Sequence, residues 1–245
     1  MAIHLYCLLA APAESPEGLR GLAGESVRAL AAGRVSAWVG TVPPGSGERS
    51  ADLARRHDAV MRAALALGKT PLPARAGQRF ADDSACIVEI SRREDEILEA
   101  LARVEGCVEM TLAFALPVEA RDAGTSPPAP VSGRISGSVP VSARGAGSGR
   151  RYLEGLRQRL EVERSRQAES AAVAVQVATV LQDLPVRETR TGTEPTPGRL
   201  VISHLILRES EVRYRSLVGS LPAAERSRLV IAGPSAPYSF ATLGP

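Results

Sequence analysis

Alternation of apolar and polar positions is clearest between Cys107 and Leu116. Val108, Met110, Leu112, Phe114 and Leu116 fall on one side, and Cys107, Glu109, Thr111, Ala113 and Ala115 on the other. A period of two marks a strand, and the mixed second set predicts one that is half-buried. Ile3, Leu5, Cys7 and Leu9 alternate with His4, Tyr6 and Leu8, so both sets are largely apolar. That predicts a central strand covered on two sides. Val27–Leu30 and Val35–Val39 read as two short strands around Ala32-Gly33, with a loop over Val42–Gly47. The run Leu229–Ala232 reads as a last strand. Gly233-Pro234 is expected to stop it, since proline has no amide for a ladder. Pro237 stiffens the segment behind it and holds Tyr238 and Phe240 in an extended tail, an aromatic plug beside the last strand.

Helical spacing appears elsewhere. Leu53, His57, Val60, Met61, Ala64 and Leu67 recur at three and four, which predicts a helix from Ser50 as cap to Gly68 as stop. The prolines of Thr70–Gly77 predict extended chain. Asp82 and Asp83 open a short helix to about Ile90. Ser91–Glu94 has the form of a capping box, ahead of a helix with Ile97, Leu98, Leu101 and Val104 on one face. The longest pattern runs from Ser148 to about Leu181. Its stripe is Leu153, Leu156, Leu160, Gln167, Ala171, Ala174, Ala178 and Leu181, and its middle, Arg157–Glu169, is densely charged. Arg157–Glu161 and Arg159–Glu163 are expected to pair along the helix. Pro185–Thr189 and Leu200–Leu207 read as a hairpin with a long loop. Ser210 reads as the cap of a helix carrying Tyr214, Leu217, Val218 and Leu221.

Between Val118 and Gly149, sixteen of 32 residues are Gly, Ser or Pro, and none is aromatic. Such a stretch buries too little surface to offset its ordering entropy, so it reads as a linker or mobile loop. The expected division is residues 1–117, a linker at 118–147, and residues 148–245. The class is α+β, built as an α/β sandwich, with the long helix in the second part. No internal repeat has a solenoid period.

Composition narrows the function. With 44% apolar residues the chain is ordinary globular protein, but with 3% aromatics its core rests on Leu, Val and Ala. No apolar run approaches a membrane span, and the first ten residues lack a basic region and read as a strand, not a signal peptide. The net charge is +3, nearly all of it arginine, with Lys69 the only lysine. These charges are scattered among 27 acids, which argues against nucleic acid as a partner. Cys7, Cys86 and Cys107 sit in or beside apolar stretches and read as buried free thiols in a reducing compartment.

Enzymatic patterns are weak. His4, His57 and His204 fall in no zinc-binding spacing, and no nucleophile elbow occurs. Gly145-Ala-Gly-Ser-Gly149 has a faint likeness to a phosphate loop but lacks the lysine and a preceding buried strand. The residues therefore nominate no catalytic, cofactor-binding or metal-binding group. Arg75 is either a bidentate anchor for an acidic partner or a tie to Glu105 or Glu109. The candidate partner contacts are Arg75, Arg157, Arg159, Arg164, Arg166, Tyr238 and Phe240.

Four motifs carry a resemblance. His57-Asp-Ala-Val60 with Pro71–Gly77 and Phe80, Leu101–Glu109, Gly149-Arg-Arg-Tyr152-Leu153, and Gly233-Pro-x-x-Pro-Tyr-Ser-Phe240 stand in the order seen in the gas vesicle F/L family. The chain resembles that family over about residues 57–240. Ser235-Ala236 stands where the family has Trp-Pro, and Ala76 and Gln78 replace its Phe and Thr. The resemblance implies an N-terminal ferredoxin-like domain and a smaller α+β C-terminal domain. It also implies a non-enzymatic adaptor role in nucleating or assembling the gas vesicle shell, in the cytoplasm. Its implied partners are the main gas vesicle shell protein and other accessory proteins, with no cofactor and no membrane. A second reading, a ligand-binding regulator or enzyme on a ferredoxin-like module, rests on that fold and the Gly145–Gly149 turn.

Overall fold

A computed structural model describes residues 1–43, 50–116, 146–193 and 198–241. Most of the stretch expected as a linker lies outside them. The first sheet is built on β1 (Ala2–Ala10), with β3 (Val35–Val42) on one side and β2 (Val27–Ala32) beyond it. On the other side of β1 pair two short segments, β4 (Leu72–Pro73) and β5 (Arg79–Phe80). Helix α1 (Ser50–Ala66) covers one face. There Tyr6, Cys7, Leu9 and Trp38 pack on Val60, Met61 and Ala64. Helices α2 (Asp83–Arg92) and α3 (Glu94–Val104) cover the other, where Ile3, Leu5, Val35 and Val39 meet Ile90, Ile97 and Leu101. The expected two-sided burial of the first strand is met, since Ile3–Leu9 are all buried.

The second sheet has the order β7-β8-β6-β9, from β6 (Cys107–Ala115), β7 (Val186–Thr193), β8 (Arg199–Leu207) and β9 (Leu229–Ser235). Helix α4 (Ala146–Val180) joins β6 to β7, and α5 (Glu211–Gly219) and the short α6 (Ala223–Arg226) join β8 to β9. This β-α-β-β-α-β order is that of a ferredoxin-like unit. The module expected at the N-terminus is therefore built in the second half. The first sheet opens with three consecutive strands and no crossover helix. β6, which the sequence groups with residues 1–117, is hydrogen-bonded on both sides to strands of the 148–245 segment.

Val108, Met110, Leu112 and Phe114 of β6 pack on Val173, Val177, Leu181, Tyr214 and Val218. The opposite set is less exposed than its polarity suggests. Cys107 and Glu109 are buried too, because the chain's tail folds back over that face.

Local corrections have local causes. Asp82 caps α2 through the Ala85 amide at 2.8 Å, as expected, but α2 runs on to Arg92 and absorbs Ser91. Glu94 is thereby free of the expected capping box and accepts the Arg34 amide at 2.6 Å, bracing the β2–β3 turn. Ser210 makes no side-chain cap. β9 does not stop at Gly233. Its ladder shifts register there and continues to Ser235 through a bulge, which an edge strand tolerates at proline. All three cysteines are free and buried.

The two halves meet through backbone capture. Arg208, just after β8, donates to the carbonyls of Leu65 at 2.7 Å and Lys69 at 3.1 Å, at the end of α1. Leu65 lies in the last turn of α1, where its carbonyl also accepts the Gly68 amide at 2.9 Å, and Lys69 lies just past the helix.

Candidate interaction surface

α4 has 35 residues, hence a length of about 52 Å, whereas the nine residues of β6 span about 30 Å. A helix that long overhangs the sheet. Its C-terminal part is seated. Val173, Val177 and Leu181 are buried against the second sheet, with Ala174 and Val180 half-buried beside them. Arg228 fixes it further through Glu169 at 2.5 Å. Its earlier part is exposed. Tyr152 is 71% exposed, Leu153 56%, Leu156 41% and Leu160 51%. The expected stripe thus holds only at its end. Gln167, Ala171 and Ala178 point to solvent, and Val173 and Val177 take the core positions.

The expected ion pairs Arg157–Glu161 and Arg159–Glu163 do not form, and Glu163 instead accepts from Gln167 at 3.5 Å. Among the described residues, Arg157, Arg159, Arg164 and Arg166 have no carboxylate within ion-pair distance. The surface pairs unsatisfied cations with exposed leucines.

The other expected contacts lie apart from it. Arg75 sits on an exposed turn and bonds neither Glu105 nor Glu109. Tyr238 is 41% exposed, and its hydroxyl lies 3.4 Å from Nδ1 of buried His57. Phe240 is fully buried among Val104, Cys107 and Leu205, with the Arg190 guanidinium 5.3 Å from its ring centre. Arg103 holds its carbonyl at 2.9 Å. Phe240 is therefore spent on the fold and withdrawn from any surface. Sequence reading missed Ser239 and set Glu109 against Arg75, not against the tail that Glu109 and Ser239 pin; the one signal was the lone carboxylate of β6.

Ala146–Gly149 form the first turn of α4, so the glycines there make a helix and not a phosphate loop. A cleft of about 260 Å³ between α4 and β7–β8 is lined mainly by Val177, Leu181, Leu184, Val186 and Ile202, with His204 at one wall. His204 is committed to Tyr214 at 2.8 Å, and burial lowers it to about 4. Among the described residues no group of three or more His, Cys, Asp or Glu is placed to hold a metal, and no helix is long and apolar enough to cross a membrane.

The family described as Gas vesicle synthesis protein GvpL/GvpF matches residues 2–242. The chain belongs to that family. Within GvpL/GvpF it is similar to Gas vesicle protein L of Streptomyces sp. (strain CB03234), 31% identical over 244 residues, covering 92% of this chain and 87% of that protein. Its fold is similar to the crystal structure of the gas vesicle protein GvpF from Anabaena sp. PCC7120, with a TM-score of 0.73 at 18% identity and 99% of each chain covered. It is likewise similar to GvpF from Microcystis aeruginosa, with a TM-score of 0.69 at 18% identity and 99% of each chain covered. Membership over nearly the whole chain makes this a gas vesicle protein of α+β architecture.

Proposed function

We propose that this GvpL/GvpF-family chain is a non-enzymatic adaptor that helps nucleate or assemble the gas vesicle shell. Its partners are the main shell protein and other gas vesicle accessory proteins, and it works at the gas vesicle in the cytoplasm. The observation that carries the reading is the overhang of α4, where exposed leucines and unpaired arginines share one helix. A surface of that kind costs solubility unless a partner covers it.

Co-expression with the main shell protein, followed by affinity pull-down, tests this. The shell protein should be retained with the chain. Its loss under conditions where an established accessory protein retains it would sink the adaptor role.

A further inference from the structure

We propose that the overhanging half of α4 is one strand of a two-stranded coiled coil, whose other strand is an acidic amphipathic helix on a partner protein. The seam is read from this chain alone; that the partner belongs to the gas vesicle rests on the adaptor reading.

Leu153, Leu156 and Leu160 follow the three–four spacing of core heptad positions. Counting on in the same register reaches Ala174, Val177 and Leu181, which are seated on the second sheet. The exposed leucines and the seated end thus share one register, broken between them by Glu163, Gln167 and Ser170, with buried Val173 at a flanking position of it. The sheet covers its end, and among the described residues nothing covers its start. Glu163 and Gln167 occupy the two core positions after Leu160 and close the exposed apolar seam.

The charges are sorted by the same register. The positions flanking the seam are Arg157 and Arg164 on one side and Arg159 and Arg166 on the other, with Tyr152 completing the second row. Glu154 and Glu161 fall on the outward face. A helix that merely needs solvation has no reason to place every flanking residue from 157 to 166 as arginine. Flanking positions choose the partner by charge. A second copy would set arginine against arginine across both flanks and is rejected. A partner with glutamate or aspartate at those positions pairs with all four arginines. A bilayer surface fits poorly, because interfacial helices present a broad apolar face, and this seam is narrow and interrupted by Glu163. Two turns of seam give a weak single contact, which suits a protein engaging repeated subunits whose contacts add by effective concentration.

The test uses the full chain and a fluorescent designed helix of about four heptads, with Leu at core positions and Glu at the flanks. A second peptide carries Lys at the flanks. The Glu peptide should bind, with affinity falling as salt rises, and the Lys peptide should bind at least about tenfold more weakly. Combining Arg157→Glu, Arg159→Glu, Arg164→Glu and Arg166→Glu should reverse that order. Leu156→Ser with Leu160→Ser should abolish Glu-peptide binding while leaving the melting temperature unchanged, since both leucines are exposed. No binding of either peptide, or equal binding of both, overturns the proposal. So does self-association that the leucine changes remove, or binding to phosphatidylglycerol vesicles without binding to the Glu peptide. Shell protein retained by a parent chain that binds neither peptide defeats the seam and spares the adaptor role. Peptide binding without shell-protein retention does the reverse.

Discussion

Ser239 donates twice to Glu109, its backbone amide to Oε2 at 2.8 Å and its hydroxyl to Oε1 at 2.6 Å. Glu109 is only 4% exposed, on the face of β6 turned away from α4. Thr111 adds a hydroxyl at 3.3 Å, and Ser203 stands beside both. A buried carboxylate is costly without donors, and here the donors arrive from the far end of the chain.

Loosening that tail should cost stability and leave docking untouched. Ser239→Ala removes one of the donors and should destabilise by about 1–3 kcal/mol in urea unfolding. Phe240→Ala empties a fully buried site and should cost about 3–5 kcal/mol. Both variants should bind the Glu peptide as the parent does under native conditions. Weaker peptide binding by a still-folded Phe240→Ala would restore that residue to the partner contacts.

Gly233→Ala should be more damaging than a half-buried position on an edge strand suggests. Gly233 has φ of +110°, and a Cβ there would lie 2.6 Å from the Glu109 carbonyl oxygen. The backbone conformation alone costs an alanine about 1–3 kcal/mol, and the clash with β6 adds to it. Arg215 also holds the Gly233 carbonyl at 2.5 Å, so the bulge has little room to shift. A melting temperature equal to the parent's would show that this bulge yields freely.

Acid should weaken the fold between about pH 6.5 and pH 4. Burial lowers His4 from its usual 6.5 to about 4, with His57 nearby pushing the same way, and burial alone lowers His204 to about 4. Unfolding lets each take up a proton near pH 6.5. The stability they contribute is complete above that pH and is lost as pH falls towards 4, by up to about 3 kcal/mol for each. Urea midpoints at pH 7.5 and 4.5 measure the drop. His204→Gln, which can still bond Tyr214, should show a smaller one; an unchanged drop would remove His204 from the account.

The thiols should be silent in the native state. Burial pushes Cys86 up to about 11, and it raises Cys7 and Cys107 as well. Thiolate is the reactive form. An aromatic disulfide reagent at pH 8 should therefore label none until denaturant is added, and rapid native labelling of Cys7 would show that the first sheet opens.

Much of this architecture was readable from periodicity. The strand at Ile3–Leu9, the β2–β3 hairpin, α1 and its stop at Gly68, and the cap at Asp82 follow local rules that the tertiary structure left in force. The errors came where a distant segment competed. Glu94 served the Arg34 amide and not its own helix, and Glu109 looked solvent-facing until the tail covered it. The long helix misled by phase. Its stripe was traced through Ala171 and Ala178, whereas the buried side chains are Val173, Val177 and Leu181, each four residues from the next. The pairing of β6 with β8 and β9 is the kind of long-range choice that no local pattern records.

That pairing has a consequence for synthesis. β6 leaves the ribosome well before either of its neighbours, which begin at Arg199 and Leu229. Until both are made, a growing chain displays an apolar strand with two bare edges, open to any passing polypeptide. A message cut short after the long helix would thus yield a well-formed first half carrying a sticky ribbon, and such fragments should be found in inclusion bodies or bound to chaperones.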